Sequence, residues 1–111
     1  NKNSVSRWGI LKLNRKLNKR NYLIGGVVEK PSANIAPSNK AVIGRYILSK
    51  KIFSKLSKQK PGKNGEIHNT DAIQSLINDN DKFISHNFSG NYLDCGTLNG
   101  YIKSSFKITK L

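Results

Sequence analysis

Leu23-Ile24-Gly25-Gly26-Val27-Val28-Glu29-Lys30-Pro31 is the stretch that decides how this chain is read. It is an apolar, β-branched run ending on a carboxylate, an ammonium and a proline. A second apolar run, Val42-Ile43-Gly44-Arg45-Tyr46-Ile47-Leu48, follows a loop punctuated by Pro31 and Pro37. Runs of this length and composition read as buried strands. Successive strand residues point to opposite faces, so Glu29 and Lys30 are expected on opposite sides, with Pro31 fixing the backbone behind them. A charged pair at the end of a buried strand is one place where an α/β sheet meets a ligand. It is also where a strand simply reaches water. Gly25-Gly26 lies inside the run, which marks a bulge or close packing rather than a phosphate loop.

Upstream, Trp8 to Leu13 reads as a strand, and the polar, basic stretch Asn14 to Asn21 reads as a long hairpin tip. Downstream, Ile52, Phe53 and Leu56 recur at helical spacing among lysines, and Pro61-Gly62 ends that short helix. Ala72, Ile73, Leu76 and Ile77 form an apolar stripe on a second helix. Asn69 or Thr70 is placed to cap it, with Asp71 in its first turn. Lys82 to Phe88 reads as a strand and Tyr92-Leu93-Asp94 as a brief extended piece. A last helix starts near Thr97, with Leu98, Tyr101, Ile102 and Phe106 on one face. Near-continuous apolar strands need cover on both faces, and these few helices supply only part of it. The expected fold class is therefore α/β, as part of a larger sheet.

The chain has 111 residues, of which 36% are hydrophobic, so its core is thin or completed by something else. One cysteine excludes an intrachain disulfide and suits a reducing, cytoplasmic setting. No apolar run is long enough to span a bilayer as a helix, and no membrane partner is expected. The sequence contains no methionine, which suggests a piece of something longer. Its net charge of +14, from 20 Lys+Arg against 6 Asp+Glu, favours phosphorylated or polyanionic partners. Joint enrichment in lysine, asparagine and isoleucine is also what an AT-rich genome produces. The basic residues fall on no recognised nucleic-acid motif, so nucleic acid is a lesser alternative.

Candidates for chemistry are few. His68, His86 and Cys95 lack metal-ligand spacing, and there is no nucleophile elbow or Walker loop. Asp94 ends an extended piece ahead of Cys95-Gly96 and a helix. A carboxylate there can hold Mg²⁺ over phosphates, or can serve a turn or a cap. Glu66, Thr70 and Asp71 read as capping and loop order.

Eight short motifs occur in one order: Val28-Glu29-Lys30-Pro31, Ala36-Pro37-Ser38-Asn39, Gly44-Arg45-Tyr46, Pro61-Gly62, Gly65-Glu66-Ile67, Thr70-Asp71-Ala72-Ile73, Asp94-Cys95-Gly96 and Gly100-Tyr101. Together they resemble the C-terminal part of bacterial UTP–glucose-1-phosphate uridylyltransferase, over nearly the whole chain from about Trp8 onward. The resemblance implies a C-terminal fragment of a nucleotide-diphospho-sugar transferase, with a Rossmann-like mixed sheet flanked by helices. Residues 1–111 would be the sugar-binding portion of one nucleotidyltransferase domain, without its N-terminal nucleotide-binding portion.

The implied reaction makes UDP-glucose and pyrophosphate from UTP and glucose 1-phosphate, with Mg²⁺ as cofactor. Glu29 would accept hydrogen bonds from glucose hydroxyls. Lys30 would be the catalytic residue, meeting phosphate. Gly44 and Arg45 would lie on the strand flooring the sugar site, and Asp94 would hold the metal. The missing portion is a conceivable separate chain, and a homo-oligomer is compatible. This fragment alone is expected to be inactive, and the alternative is a non-catalytic remnant of a split or decaying gene. Departures from the family pattern include Trp8, His68-Asn69, Leu98 at a usual lysine position, and Asn99 at a usually apolar one. An unpaired Asn99 turned into a core would cost about 1–3 kcal/mol.

Overall fold

The computed structural model describes residues 2–110. After a 3-10 segment, Lys2–Arg7, come strand β1 (Gly9–Lys16), strand β2 (Asn21–Glu29) and helix α1 (Lys51–Leu56). Helix α2 (Asn69–Asn78), strand β3 (Phe83–His86) and helix α3 (Leu98–Ile108) complete the order. The strands form one antiparallel sheet in the order β1-β2-β3. The fold is α/β as expected, and every strand pairing described within this chain is antiparallel.

The central strand is the apolar run that opens the reading. Val27 pairs with Leu11 of β1, and both join a core with Ile52 of α1 and Ala72, Ile73 and Leu76 of α2. The double glycine serves both expected purposes. The β1–β2 register slips between Lys12 and Leu13, leaving Gly25 as the extra residue of a bulge. Beside it, a Cβ on Gly26 would stand 2.6 Å from Gln74 Oε1 of α2. That close approach lets the Val27 N–H donate to Gln74 Oε1 at 2.8 Å. β2 pairs with β3 only as far as Ile24, so the side chain of α2 takes over where the ladder ends.

The hairpin tip is shorter than its composition suggests. β1 continues through Asn14, Arg15 and Lys16, all exposed, because β2 offers them a ladder: Arg15 pairs with Leu23 and Lys16 with Tyr22. Backbone hydrogen bonding, not burial, holds this polar stretch extended. Asn18 Oδ1 closes the turn by accepting from the N–H groups of Arg20 and Asn21, each at 3.0 Å.

Val42–Leu48 is not a strand. The chain meets the free edge of β1 only at an isolated Ile10–Ala41 bridge, helped by Val42 N–H donating to Gly9 O at 2.8 Å. Gly44 then takes φ +76°, the left-handed region that glycine enters freely, and the backbone leaves the sheet. Tyr92–Asp94 likewise forms no strand. Both long helices occur where the apolar spacing places them. Thr97 caps α3, its Oγ1 accepting from Gly100 N–H at 3.1 Å. The cap of α2 differs from the expectation. His68 occupies that position in extended conformation and makes no side-chain cap hydrogen bond, and Thr70 lies inside the helix instead.

Candidate functional site

The site is built where β2 runs out. Glu29 is the last residue of the strand, and Lys30 follows with φ +44°. That left-handed turn overrides the alternation of an extended chain. The two side chains converge instead of pointing apart, with Lys30 Nζ 3.8 Å from Glu29 Oε1. Lys30 N–H donates to Trp8 O at 2.9 Å, so β1 holds the turned backbone in place.

The loop into α2 supplies the other wall. Glu66 Oε2 lies 4.0 Å from Lys30 Nζ and 3.6 Å from His68 Nε2. The other ring nitrogen of His68, Nδ1, lies 4.0 Å from Glu29 Oε1. In the first turn of α2, the Thr70 hydroxyl donates to Glu29 Oε2 at 2.8 Å. Thr70 is buried, and the Glu29 side chain is only 14% exposed. Burial raises the Tyr46 phenol above its ordinary pKa of 10.0, and the Glu29 carboxylate adds to the rise. Two carboxylates, an ammonium, an imidazole and a threonine hydroxyl therefore cluster at the end of β2. Such a set can exchange hydrogen bonds with sugar hydroxyls and neutralise a phosphate.

Not every residue implicated by the sequence belongs to this cluster. Gly44 and Arg45 are exposed and lie on irregular chain, so they do not floor a site as strand residues. Arg45 and Tyr46 instead line an open groove of about 880 Å³, walled by Leu11, Val27, Ile73 and Phe83. Asp94 is engaged elsewhere. Its Oδ2 accepts from Arg7 Nη2 at 2.9 Å and its Oδ1 from Gly96 N–H at 3.1 Å. Among the described residues no group of three His, Cys, Asp or Glu side chains could hold a metal ion. Asn99 faces solvent, so the cost of burying its amide does not arise, and Leu98 is exposed beside it. Glu66 and Thr70, which read from sequence as capping and loop order, and His68, which lacks metal-ligand spacing there, are the site residues that reading missed.

Residues 1–110 match the family model for nucleotidyl transferase, and the chain belongs to the nucleotidyl transferase family. Its relatives are more particular. The chain is 42% identical over 101 residues to UTP–glucose-1-phosphate uridylyltransferase 2 of Streptococcus pyogenes serotype M3, covering 91% of this chain and 33% of the relative. It is 42% identical over 84 residues to UTP–glucose-1-phosphate uridylyltransferase of Pseudomonas aeruginosa, covering 76% and 30%. Among solved structures, a UDP-glucose pyrophosphorylase complexed with UDP-glucose superposes with TM-score 0.92 at 43% identity, covering 99% of this chain and 41% of that one. The UTP-bound enzyme of Acinetobacter baumannii superposes with TM-score 0.76 at 34% identity, covering 97% and 36%. These names agree with the resemblance carried by the ordered motifs. The chain spans about a third of the length of the curated relatives it matches.

Proposed function

We propose that this chain is the sugar-phosphate-holding portion of a nucleotidyltransferase that makes UDP-glucose and pyrophosphate from UTP and glucose 1-phosphate. A phosphate oxygen of the sugar attacks the α-phosphorus of UTP. A new P–O bond forms as the bond to the departing pyrophosphate breaks. The nucleophile is already anionic, so the protein's task is positioning and charge neutralisation. Glu29 accepts from glucose hydroxyls and Lys30 neutralises phosphate charge. The observation that carries this reading is the convergence of Glu29 and Lys30 at the end of β2, in a chain so similar to a UDP-glucose-bound relative.

Arg45, on the wall of the apolar groove, is the nearest counterpart to the expected strand floor. Magnesium finds no ready centre in the described residues: Asp94 supplies a single carboxylate, and Arg7 and Gly96 already hold it. The proposed partners are UTP, UDP-glucose and glucose 1-phosphate, together with the remainder of a nucleotidyltransferase domain on the same or a separate chain. The setting is a reducing cytoplasm, in keeping with the free, exposed Cys95. By itself the chain is expected to release no pyrophosphate from UTP and glucose 1-phosphate, because its sequence offers no glycine-rich phosphate-cradling loop.

The test is a chimera joining this chain to the remaining length of the Streptococcus pyogenes relative. Hydrogen bonds to charged groups contribute about 1.5–3 kcal/mol, so Glu29→Gln and Lys30→Ala should each weaken glucose 1-phosphate binding roughly ten- to a hundredfold. If both variants bind like the parent chimera, the site assignment is wrong. Salt-sensitive binding to arbitrary DNA, with no response to the sugar phosphate, would instead favour a nucleic-acid module.

A further inference from the structure

The two oxygens of Glu29 are treated differently by their surroundings. Oε2 accepts the Thr70 hydroxyl at 2.8 Å, inside the fold. Oε1 faces Lys30 Nζ at 3.8 Å and His68 Nδ1 at 4.0 Å, both too long for hydrogen bonds. One oxygen is therefore anchored and the other is presented. A second feature is built around the anchor. Gly9 is the register partner of Glu29, and a Cβ there would stand 2.8 Å from Thr70 Cγ2 and 3.2 Å from Glu29 Oε2. Absence of a side chain at Gly9 leaves room for the threonine and the carboxylate to meet. α2 is held in register by the same face, since Gln74 lies one turn beyond Thr70 and binds the β2 backbone at Val27.

We propose that Thr70 is the positioning residue of this site. Its hydroxyl fixes Oε2 of Glu29 so that Oε1 is held ready for a hydroxyl of a polyhydroxylated, phosphorylated ligand. Thr70 does not itself touch the ligand; it acts through Glu29. This assignment rests on the sugar-phosphate reading for the identity of the ligand, but not for the anchoring. A carboxylate with a long, rotatable stem loses affinity when it must be ordered at binding, and a buried hydroxyl removes that cost in advance.

The experiment has two arms, the first on the full chain. Without ligand, NMR coupling constants across the Glu29 side chain are measured in the parent, Thr70→Val and Thr70→Ser. The parent should show one rotamer, Thr70→Val rotameric averaging, and Thr70→Ser the parent pattern, since the hydroxyl and not the methyl is the anchor. A single unaltered rotamer in Thr70→Val, or averaging in Thr70→Ser equal to that in Thr70→Val, overturns the proposal. Should Thr70→Val fail to fold, the parent's Thr70 hydroxyl proton decides. Slow exchange with a cross-peak to the Glu29 methylenes supports the anchor, and exchange like a free hydroxyl overturns it.

The second arm places the same substitutions in the chimera described above and titrates the parent chimera and each variant with UDP-glucose. An affinity about tenfold weaker in Thr70→Val and restored in Thr70→Ser is the expected result. No binding by the parent chimera would sink the sugar reading, while the rotamer measurement would still decide the role of Thr70. Equal binding by the parent chimera and its Thr70→Val variant would overturn Thr70 as a positioning residue.

Discussion

Helices α2 and α3 carry the same kind of message in sequence and meet opposite fates. Each has an apolar stripe at helical spacing: Ala72, Ile73 and Leu76 on α2, and Leu98, Tyr101, Ile102 and Phe106 on α3. The α2 stripe is buried against β2 and α1, with Leu76 only 2% exposed. Every member of the α3 stripe is exposed, Phe106 at 67%. Their ends differ in the opposite sense. α3 has a side-chain cap from Thr97, whereas α2 starts at His68 with none. α2 is thus held from outside, by packing and by polar ties from Thr70 and Gln74, and α3 has its local signal intact with its face uncovered. Periodicity announces that a face wants a partner. It does not say whether that partner lies within the same chain.

The strongest way to break this comparison is to remove the packing on which α2 depends. Leu76→Ala empties a buried site shared by both helices of the core and β2, at a cost of about 2–5 kcal/mol. That is comparable with the whole stability of many small domains. The urea midpoint should fall steeply or the cooperative transition should vanish, followed by circular dichroism. An unchanged midpoint would mean that the α2 stripe is not the centre of the core.

The same contrast explains which parts of the molecule could be read from the chain alone. β2 and α2 were legible because propensity, periodicity and burial agree in them. Val42–Leu48 looks like a strand by composition, but a strand exists only with a ladder partner, and Gly44 turns the chain from β1 after one bridge. The polar residues Asn14 to Lys16 err the other way, since a ladder to β2 suffices without an apolar side. The sequence puts Glu29 and Lys30 at a strand end, where β2 stops, yet their convergence depends on one left-handed φ at Lys30, where side-chain type gives little warning. Thr70, like Asn69, reads as a cap, but the cap position falls at His68. The signal of Thr70 was present as a polar residue one turn before Gln74, bordering the apolar stripe of α2. The Arg7 partner of Asp94 is 87 positions away and beyond any local reading.

A smaller effect sharpens the comparison from the α3 side. Thr97→Ala removes the hydroxyl that accepts from Gly100 N–H, worth about 1 kcal/mol for a typical cap. α3 shows no extensive contact with another element, so the loss should stay local. Amide exchange should quicken through the first turns of α3 while α2 is unchanged. Equal quickening in α2 would show that the helices are coupled more tightly than their contacts indicate.

The smallest expected change in folding stability is also the most informative about what the α3 stripe is for. Phe106→Ser takes an aromatic ring from a position already in water, so no cavity forms and no hydrogen bond is lost. Surface substitutions of this kind usually alter stability by less than about 0.5 kcal/mol, and the melting temperature should hardly move. Association should respond differently. Exposed apolar side chains grouped on one face are adhesive, and Phe106 lies on the same face as Tyr101 and Ile102. The parent chain should therefore show a sedimentation coefficient that rises with concentration, and Phe106→Ser should flatten that rise. A control at Ile35, another exposed hydrophobic but one in the loop after β2, separates a stripe effect from general stickiness. If Ile35→Ser flattens the rise as much as Phe106→Ser does, the α3 face has no special part in association. If Phe106→Ser lowers the melting temperature by several degrees, the ring is packed in the folded chain and the contrast between the two helices fails.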